Sequence, residues 1–260
     1  MGIQQKEPAG AAGESGRYCQ KRDTLISIFR SNQILEMKKG IFAVYKPKGP
    51  TSHDIVNKIR QLSGERRVGH AGTLDPLAKG ILVVAVGREF TRQLAELVKK
   101  EKEYIGVIRF GFNSTTDDAE GDKAPIQITK KPDIVAIEKA TRKFKGNILQ
   151  MPPAFSALKI KGTPAYKLAR RGQEPKLKKR RVEIKEIEIL KYKWPDLKLR
   201  IVTGPGVYIR SLARDIGAKL KTGGYLFALE RTRVGKFTKE KAMRLPSTKP
   251  STALSSTLHR

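Results

Sequence analysis

The sequence predicts an α+β fold, and three observations carry that prediction. Runs rich in β-branched and aromatic residues at 41–45, 81–87 and 103–111, with alternating apolar positions between 182 and 201, have the length and borders of strands. Segments starting near 52, 133 and 208 instead space their apolar residues three or four apart, the period of a helix with one buried face. With 260 residues, 38% of them apolar and 30% charged, the chain can bury a sizeable core without disulfides or metals.

Charge sets the class of partner. Lys and Arg number 54 against 25 Asp and Glu, a formal charge of +29. Such an excess favours a polyanion, because each phosphate neutralised releases counterions; RNA or DNA comes first and an anionic membrane second. There is neither a run of about 18 apolar residues nor a signal peptide, so a cytoplasmic protein is expected. Cys19 stands alone and the three histidines, at 53, 70 and 259, are scattered, which leaves no disulfide framework and no zinc ligand set. Catalysis should therefore rest on carboxylate, tyrosine, arginine or lysine.

In chain order, residues 1–38 read as a disordered N-terminal extension. A strand at 41–45 ends in the turn-forming stretch Lys46-Pro47-Lys48-Gly49-Pro50. Lys46 and Lys48 are either solvated or in contact with a phosphate. Thr51 or Ser52 then caps a helix with Ile55, Ile59 and Leu62 inward, closed near Gly64. The stretch Gly69-His70-Ala71-Gly72-Thr73-Leu74-Asp75-Pro76-Leu77-Ala78-Lys79-Gly80 is a glycine-rich loop running into a buried strand. Asp75 is either a helix N-cap with Pro76 at the first helical position or a carboxylate presented for chemistry.

A helix is expected around 91–100 with Leu94, Leu97 and Val98 inward, then a strand from 103 with Tyr104 at its start, as a core or a functional residue. Residues 113–122 form a polar loop whose clustered acids hint only weakly at a cation. A helix from Asp133 places Ile134, Ile137, Ala140 and Phe144 on one face and stops at Gly146; 151–159 is an extended connector, and a short helix covers 164–171. Between 176 and 200 ten basic residues stand against four acids on at least two strands, with a slip in alternation between Ile184 and Ile187 that predicts a bulge. So concentrated a charge reads as a phosphate-tracking surface. After Gly204-Pro205-Gly206, a helix carries Tyr208, Leu212, Ile216 and Leu220 on its apolar stripe. Arg210 lies off that stripe near the N-terminus, where the helix dipole does not favour a cation; it is a surface residue or the partner of an anion. Residues 246–260 read as a flexible tail.

The twelve residues 69–80 resemble the catalytic signature of the TruB-type pseudouridine synthases, the tRNA pseudouridine-55 synthases. The likeness extends to Lys46-Pro47-Lys48-Gly49 with Thr51-Ser52, Tyr104, the polar loop ending at Gly121, Ser156-Ala157-Leu158-Lys159 and Gly206-Val207-Tyr208-Ile209-Arg210, and covers about 39–237. It implies a pseudouridine-synthase-like catalytic domain over 39–245, with a long mixed, largely antiparallel sheet flanked by helices. The implied reaction breaks the N-glycosidic bond of a T-loop uridine, rotates the uracil and rejoins it through carbon 5, with no cofactor and no metal.

By the same resemblance Asp75 is the catalytic carboxylate, with two routes open: attack on the ribose anomeric carbon, or removal of a ribose proton to give a glycal. Arg210 would pair with Asp75 and favour its ionised form. Tyr104 would stack on the base and help take the proton from carbon 5, while Tyr208, Leu229 and Lys46 would contact substrate. His70 would fill or flank the gap left by the flipped uridine. Glu230 departs from the family pattern, which usually has a basic residue there, and Gly223-Gly224-Tyr225 departs from the small-residue pattern before it. The chain ends soon after Phe237, so no full C-terminal RNA-binding domain is expected. The expected partner is tRNA, engaged through its T-arm by a monomer with no obligatory protein partner and no membrane. An RNA-guided synthase of the Cbf5/dyskerin type and a non-catalytic RNA-binding or tRNA-folding protein are the rival readings.

Overall fold

Residues 39–246 are described by a computed structural model; the expected extension over 1–38 and the tail from 247 onward lie outside the described residues. The strands are β1 (Gly40–Lys46), β2 (Val68–Ala71), β3 (Lys79–Val86), β4 (Lys102–Phe110), β5 (Phe112–Ser114), β6 (Lys123–Pro125) and β7 (Gly146–Gln150). They continue with β8 (Lys159–Ile160), β9 (Thr163–Pro164), β10 (Arg180–Lys193), β11 (Asp196–Thr203), β12 (Gly224–Val234), β13 (Phe237–Thr238) and β14 (Met243–Arg244). The helices are α1 (Ser52–Ser63), α2 (Arg88–Thr91), α3 (Leu94–Val98), α4 (Ile134–Arg142), α5 (Ala165–Ala169) and α6 (Ile209–Lys219).

Ten strands form one sheet in the order β14-β1-β3-β12-β4-β11-β10-β7, with β2 added to β3 and β13 to β12. Only β1–β14 and β3–β12 pair in parallel, so the sheet is mixed and largely antiparallel, and the fold is α+β as expected. Ile81–Val86 is fully buried, as a continuous apolar run must be when both faces of a central strand are covered. On β4 burial alternates strictly, which points Tyr104, Ile108 and Phe110 into the core that α6 covers with Leu212, Ala213 and Ile216. Helix α6 can lie close to β12 because position 217 is glycine: a Cβ there would stand 2.4 Å from the carbonyl carbon of Gly223. The predicted bulge is present, as a register shift between Ile184 and Glu186 where β10 pairs with β11.

Several local expectations need correction. In place of one helix over 91–100 there are two short ones, α2 ending at Thr91 and α3 over Leu94–Val98, and Val98 is exposed. Neither short helix has a side-chain cap, so the apolar spacing alone did not propagate a longer one. Leu62 and Ile134 are exposed, and Val56 completes the buried face of α1. The loop 69–80 begins as strand, since Val68–Ala71 pairs with β3, and the polar loop 113–122 joins the hairpin β5–β6. Among the described residues no helix is long and apolar enough to cross a membrane.

Candidate active site

Asp75 sits between β2 and β3. Its carbonyl accepts from Ala78 N–H at 3.0 Å, so Asp75-Pro76-Leu77-Ala78 is a four-residue turn and the N-cap reading does not hold. Neighbouring elements fix the turn through its backbone. Ser52, at the start of α1, donates to the Leu74 carbonyl at 2.9 Å and accepts from Leu74 N–H at 2.8 Å. The Pro76 carbonyl accepts from Gly49 N–H at 2.8 Å, and Arg231 on β12 donates to the carbonyls of Gly72 at 3.0 Å and Ile81 at 2.7 Å. The last residue of the signature, Gly80, has φ +114° and lies opposite Arg231; a Cβ there would fall 2.2 Å from the Arg231 carbonyl oxygen. Only glycine lets β3 and β12 meet at this point.

Lys46 corrects the expectation most sharply. It is neither solvated nor placed to bind substrate, being fully buried with its ammonium donating to the carbonyls of Pro50 at 2.7 Å and Pro47 at 3.0 Å. Proline carbonyls in a tight turn have no strand or helix partner, and the lysine supplies one. Burial lowers its pKa to about 8, with Asp75 and Glu120 partly offsetting the shift. Lys102, buried with its ammonium on the carbonyls of Val98 and Lys100, is likewise lowered to about 8 by burial and by Arg231.

Arg210, on the first turn of α6, is buried and reaches Asp75 through Nε at 3.0 Å. Its Nη1 lies 3.4 Å from Asp118 and donates to the Thr116 carbonyl at 3.2 Å, while Nη2 donates to the Phe155 carbonyl at 2.9 Å. One guanidinium therefore ties together the signature turn, the β5–β6 hairpin and the connector before α5. The Asp75 side chain keeps 35% of its surface open, yet it is deep enough that burial raises its pKa above the usual carboxylate range. Arg210 opposes that rise and Asp118 adds to it. Arg210 pairs with Asp75 and favours its ionised form, as expected, but the guanidinium is shared with Asp118 and burial outweighs it. Glu120, a third carboxylate nearby, is raised by burial, Asp118 and Asp75.

These groups line a cavity of about 600 Å³. Asp75, Tyr104, Tyr208, Arg210 and Leu229 all belong to its wall, so the structure brings together five of the seven expected site residues. Tyr104 is buried, and Tyr208 is held by a two-way bond between its backbone and the Gln150 amide, at 2.9 and 3.1 Å. Burial raises the Tyr208 phenol pKa. His70 stands outside this wall, half-buried on β2, with its pKa lowered by burial and by Arg231. Asp118, Arg231 and Lys102 have no individual role legible in the sequence; each belongs to a charged stretch that reads as solvated, and only tertiary packing buries it. Glu230 faces Lys79 at 3.7 Å and pairs with Lys239, so its charge is countered within the protein. No group of three or more His, Cys, Asp or Glu among the described residues is arranged to hold a metal.

A carboxylate paired with a buried guanidinium in a tyrosine-lined cavity, on this mixed sheet, makes a candidate catalytic site. The model of the TruB family pseudouridylate synthase N-terminal domain matches residues 60–209. A Thermobifida fusca protein named tRNA pseudouridine synthase B is 46% identical over 217 residues, 80% of this chain and 74% of that protein. A Leifsonia xyli protein of the same name is 43% identical over 225 residues, 83% and 73% of the two chains. The chain belongs to the TruB family. Among solved structures, a chain of a Cbf5-Nop10-Gar1 complex superposes with a TM-score of 0.63 at 28% identity, covering 83% of this chain and 54% of that one. The chain thus spans about half the length of that solved chain.

Proposed function

We propose that this protein is a stand-alone tRNA pseudouridine synthase that isomerises the T-loop uridine at position 55. The observation that carries the reading is the Asp75–Arg210 pair at 3.0 Å in the wall of the cavity, within a chain of the TruB family. A folded T-loop hides the anomeric carbon, so the uridine is flipped into the cavity at an unstacking cost of a few kcal/mol, which contacts to phosphates offset. The ionised Asp75 then acts at the ribose, by attack on the anomeric carbon or by removal of a ribose proton, and the bond from that carbon to N1 breaks. Tyr104 holds the freed uracil while it turns. The bond to carbon 5 forms, the proton on carbon 5 leaves, and N1 ends protonated, so the product is an isomer of the substrate.

Asp75 is the catalytic residue of this reading, with Arg210 orienting it and stabilising its charge, and Tyr104, Tyr208 and Leu229 enclosing the base. His70 takes the gap left in the loop. The protein works as a cytoplasmic monomer on tRNA, with no obligatory protein partner. Curated relatives at 46% and 43% identity carry the tRNA synthase name, whereas the likeness to the Cbf5 complex is 28%, which favours the stand-alone reading over the guided one. Purified protein is incubated with unmodified tRNA and no guide RNA, and pseudouridine is mapped. A T-loop product is expected; its absence would refute the proposal.

A further inference from the structure

Helix α6 has the cavity at its N-terminus and a second, chemically different hollow at its C-terminus. This groove, of about 420 Å³, lies between the two ends of α4 and the end of α6, and Lys130, Lys131, Lys139, Lys143, Lys219 and Lys221 stand around it. All six side chains are exposed, and among the described residues none of them pairs with a carboxylate. The acid in the groove wall, Asp133, is engaged in capping α4 through Ala136 N–H at 2.8 Å. The outer strands differ: there Arg200 is held by Glu103, Glu186 and Glu188, and Lys185 by Glu101.

Helix dipoles account for part of this cluster, since Lys139, Lys143 and Lys219 lie at the C-terminal ends of α4 and α6. They do not account for Lys130, Lys131 or Lys221. Lys221 has φ +58°, just past the end of α6, a place and conformation that favour glycine. A lysine stands there against its steric preference, in a groove with five others of like charge.

We infer that this groove is a second phosphate-binding surface, which takes the backbone of the same tRNA at a point outside the T-arm. The inference rests on the proposed function for the identity of the RNA. The eleven residues of α6 separate groove from cavity by about 16 Å along the helix axis, a rigid spacing that a single folded RNA can bridge. A concave ring of unpaired ammonium groups suits backbone phosphates, and because lysine acts as a point charge without fixed geometry, the groove would read shape and not sequence.

The test uses the full chain and the variant K139Q/K143Q/K219Q/K221Q, in which all four changes are exposed and replace an ammonium with a neutral amide. Binding to unmodified full-length tRNA and to an isolated T-arm stem-loop is measured over a range of salt. Expected are a loss of at least tenfold in tRNA affinity and a log–log salt slope shallower by about 0.9 for each duplex phosphate no longer neutralised. Affinity for the stem-loop, and pseudouridine formation on it, stay within twofold of wild type. Unchanged tRNA affinity and slope would overturn the inference, and so would equal losses on both RNAs. Binding of anionic vesicles that disappears in the variant while tRNA binding is kept would overturn it in favour of a membrane. Wild-type turnover on the stem-loop reports separately on the proposed function, so either reading can fail without the other.

Discussion

Replacing Arg210 with lysine keeps one positive charge and removes the fork that distributes it. In the wild type Nε serves Asp75 at 3.0 Å, Nη1 serves Asp118 at 3.4 Å and the Thr116 carbonyl at 3.2 Å, and Nη2 serves the Phe155 carbonyl at 2.9 Å. These acceptors lie on three different segments, and a single ammonium on a shorter reach cannot meet all of them. The contact with Asp75 is an ion pair whose carboxylate is 35% open to solvent; discounted for that screening to about 1.4–2 kcal/mol, its loss, if felt in the transition state, slows turnover about 10- to 30-fold. Buried carbonyls left without a donor cost about 1–3 kcal/mol each in stability. With the guanidinium gone, less opposes the rise that burial and Asp118 impose on Asp75. The acidic limb of the pH–rate profile, where Asp75 must lose its proton, therefore moves to higher pH. Single-turnover release of tritium from carbon 5 of labelled uridine in tRNA measures the rate, with circular dichroism and tRNA binding as controls for folding. A folded Arg210→Lys protein within threefold of wild type, with an unshifted acidic limb, would refute the pairing.

Asp75→Asn should abolish turnover and leave tRNA affinity within severalfold, because phosphate contacts dominate affinity. Its folded pKa is raised, so the acid form is favoured on folding, and the ionised group subtracts stability once the pH exceeds the ordinary value near 3.8. Urea unfolding at pH 7 should accordingly find the variant at least as stable as wild type, and a clear loss would mark Asp75 as structural. Gly80→Ala should destabilise the fold by more than about 4 kcal/mol, as its Cβ would lie 2.2 and 2.7 Å from backbone atoms of Arg231 in the middle of the sheet; a loss under about 1 kcal/mol would contradict the close crossing. Changing Lys176, Lys178, Lys179, Arg180 and Arg181 to glutamine should flatten the salt dependence of tRNA binding by about 0.9 for each duplex phosphate left without its cation, whereas Arg200→Gln should leave the slope unchanged because its guanidinium is held by glutamates. Equal slopes for the two variants would place the RNA elsewhere.

The features legible in the sequence are those set by local period. The alternation slip that predicts a bulge near Ile184 is a register shift in the structure, and the apolar stripe of α6 is buried at Leu212 and Ile216, leaving Arg210 to point elsewhere. Arg210 stands out because a cation at a helix N-terminus runs against the dipole, and Asp75 and Tyr104 because the signature resembles a known family. Burial of charge is not legible. Lys46 lies next to prolines whose carbonyls need a donor, and only the approach of residues 47–50 to 76 makes an interior site for it. Asp118 sits among other acids in a stretch that reads as solvated, yet the fold directs it inward to Arg210. The basic face expected across 176–200 is divided, because Glu101, Glu103, Glu186 and Glu188 pair with Lys185 and Arg200 in its central part, whereas the lysines before β10 make no such pair among the described residues.

The two interior lysines couple the binding of a polyanion to the uptake of protons, which gives a testable expectation. Lys46 and Lys102 both have pKa values near 8, so close to that pH each is partly neutral in the free enzyme. A polyanion settling over the cavity would make the charged ammonium cheaper to hold, and the RNA-bound form should then take up protons from solution. The enthalpy of tRNA binding near pH 8 should therefore depend on the ionisation heat of the buffer, and that dependence should fade at pH 6, where both lysines are already protonated. Affinity for RNA is then expected to carry a pH dependence of its own, set by Lys46 beneath the cavity and Lys102 in its wall.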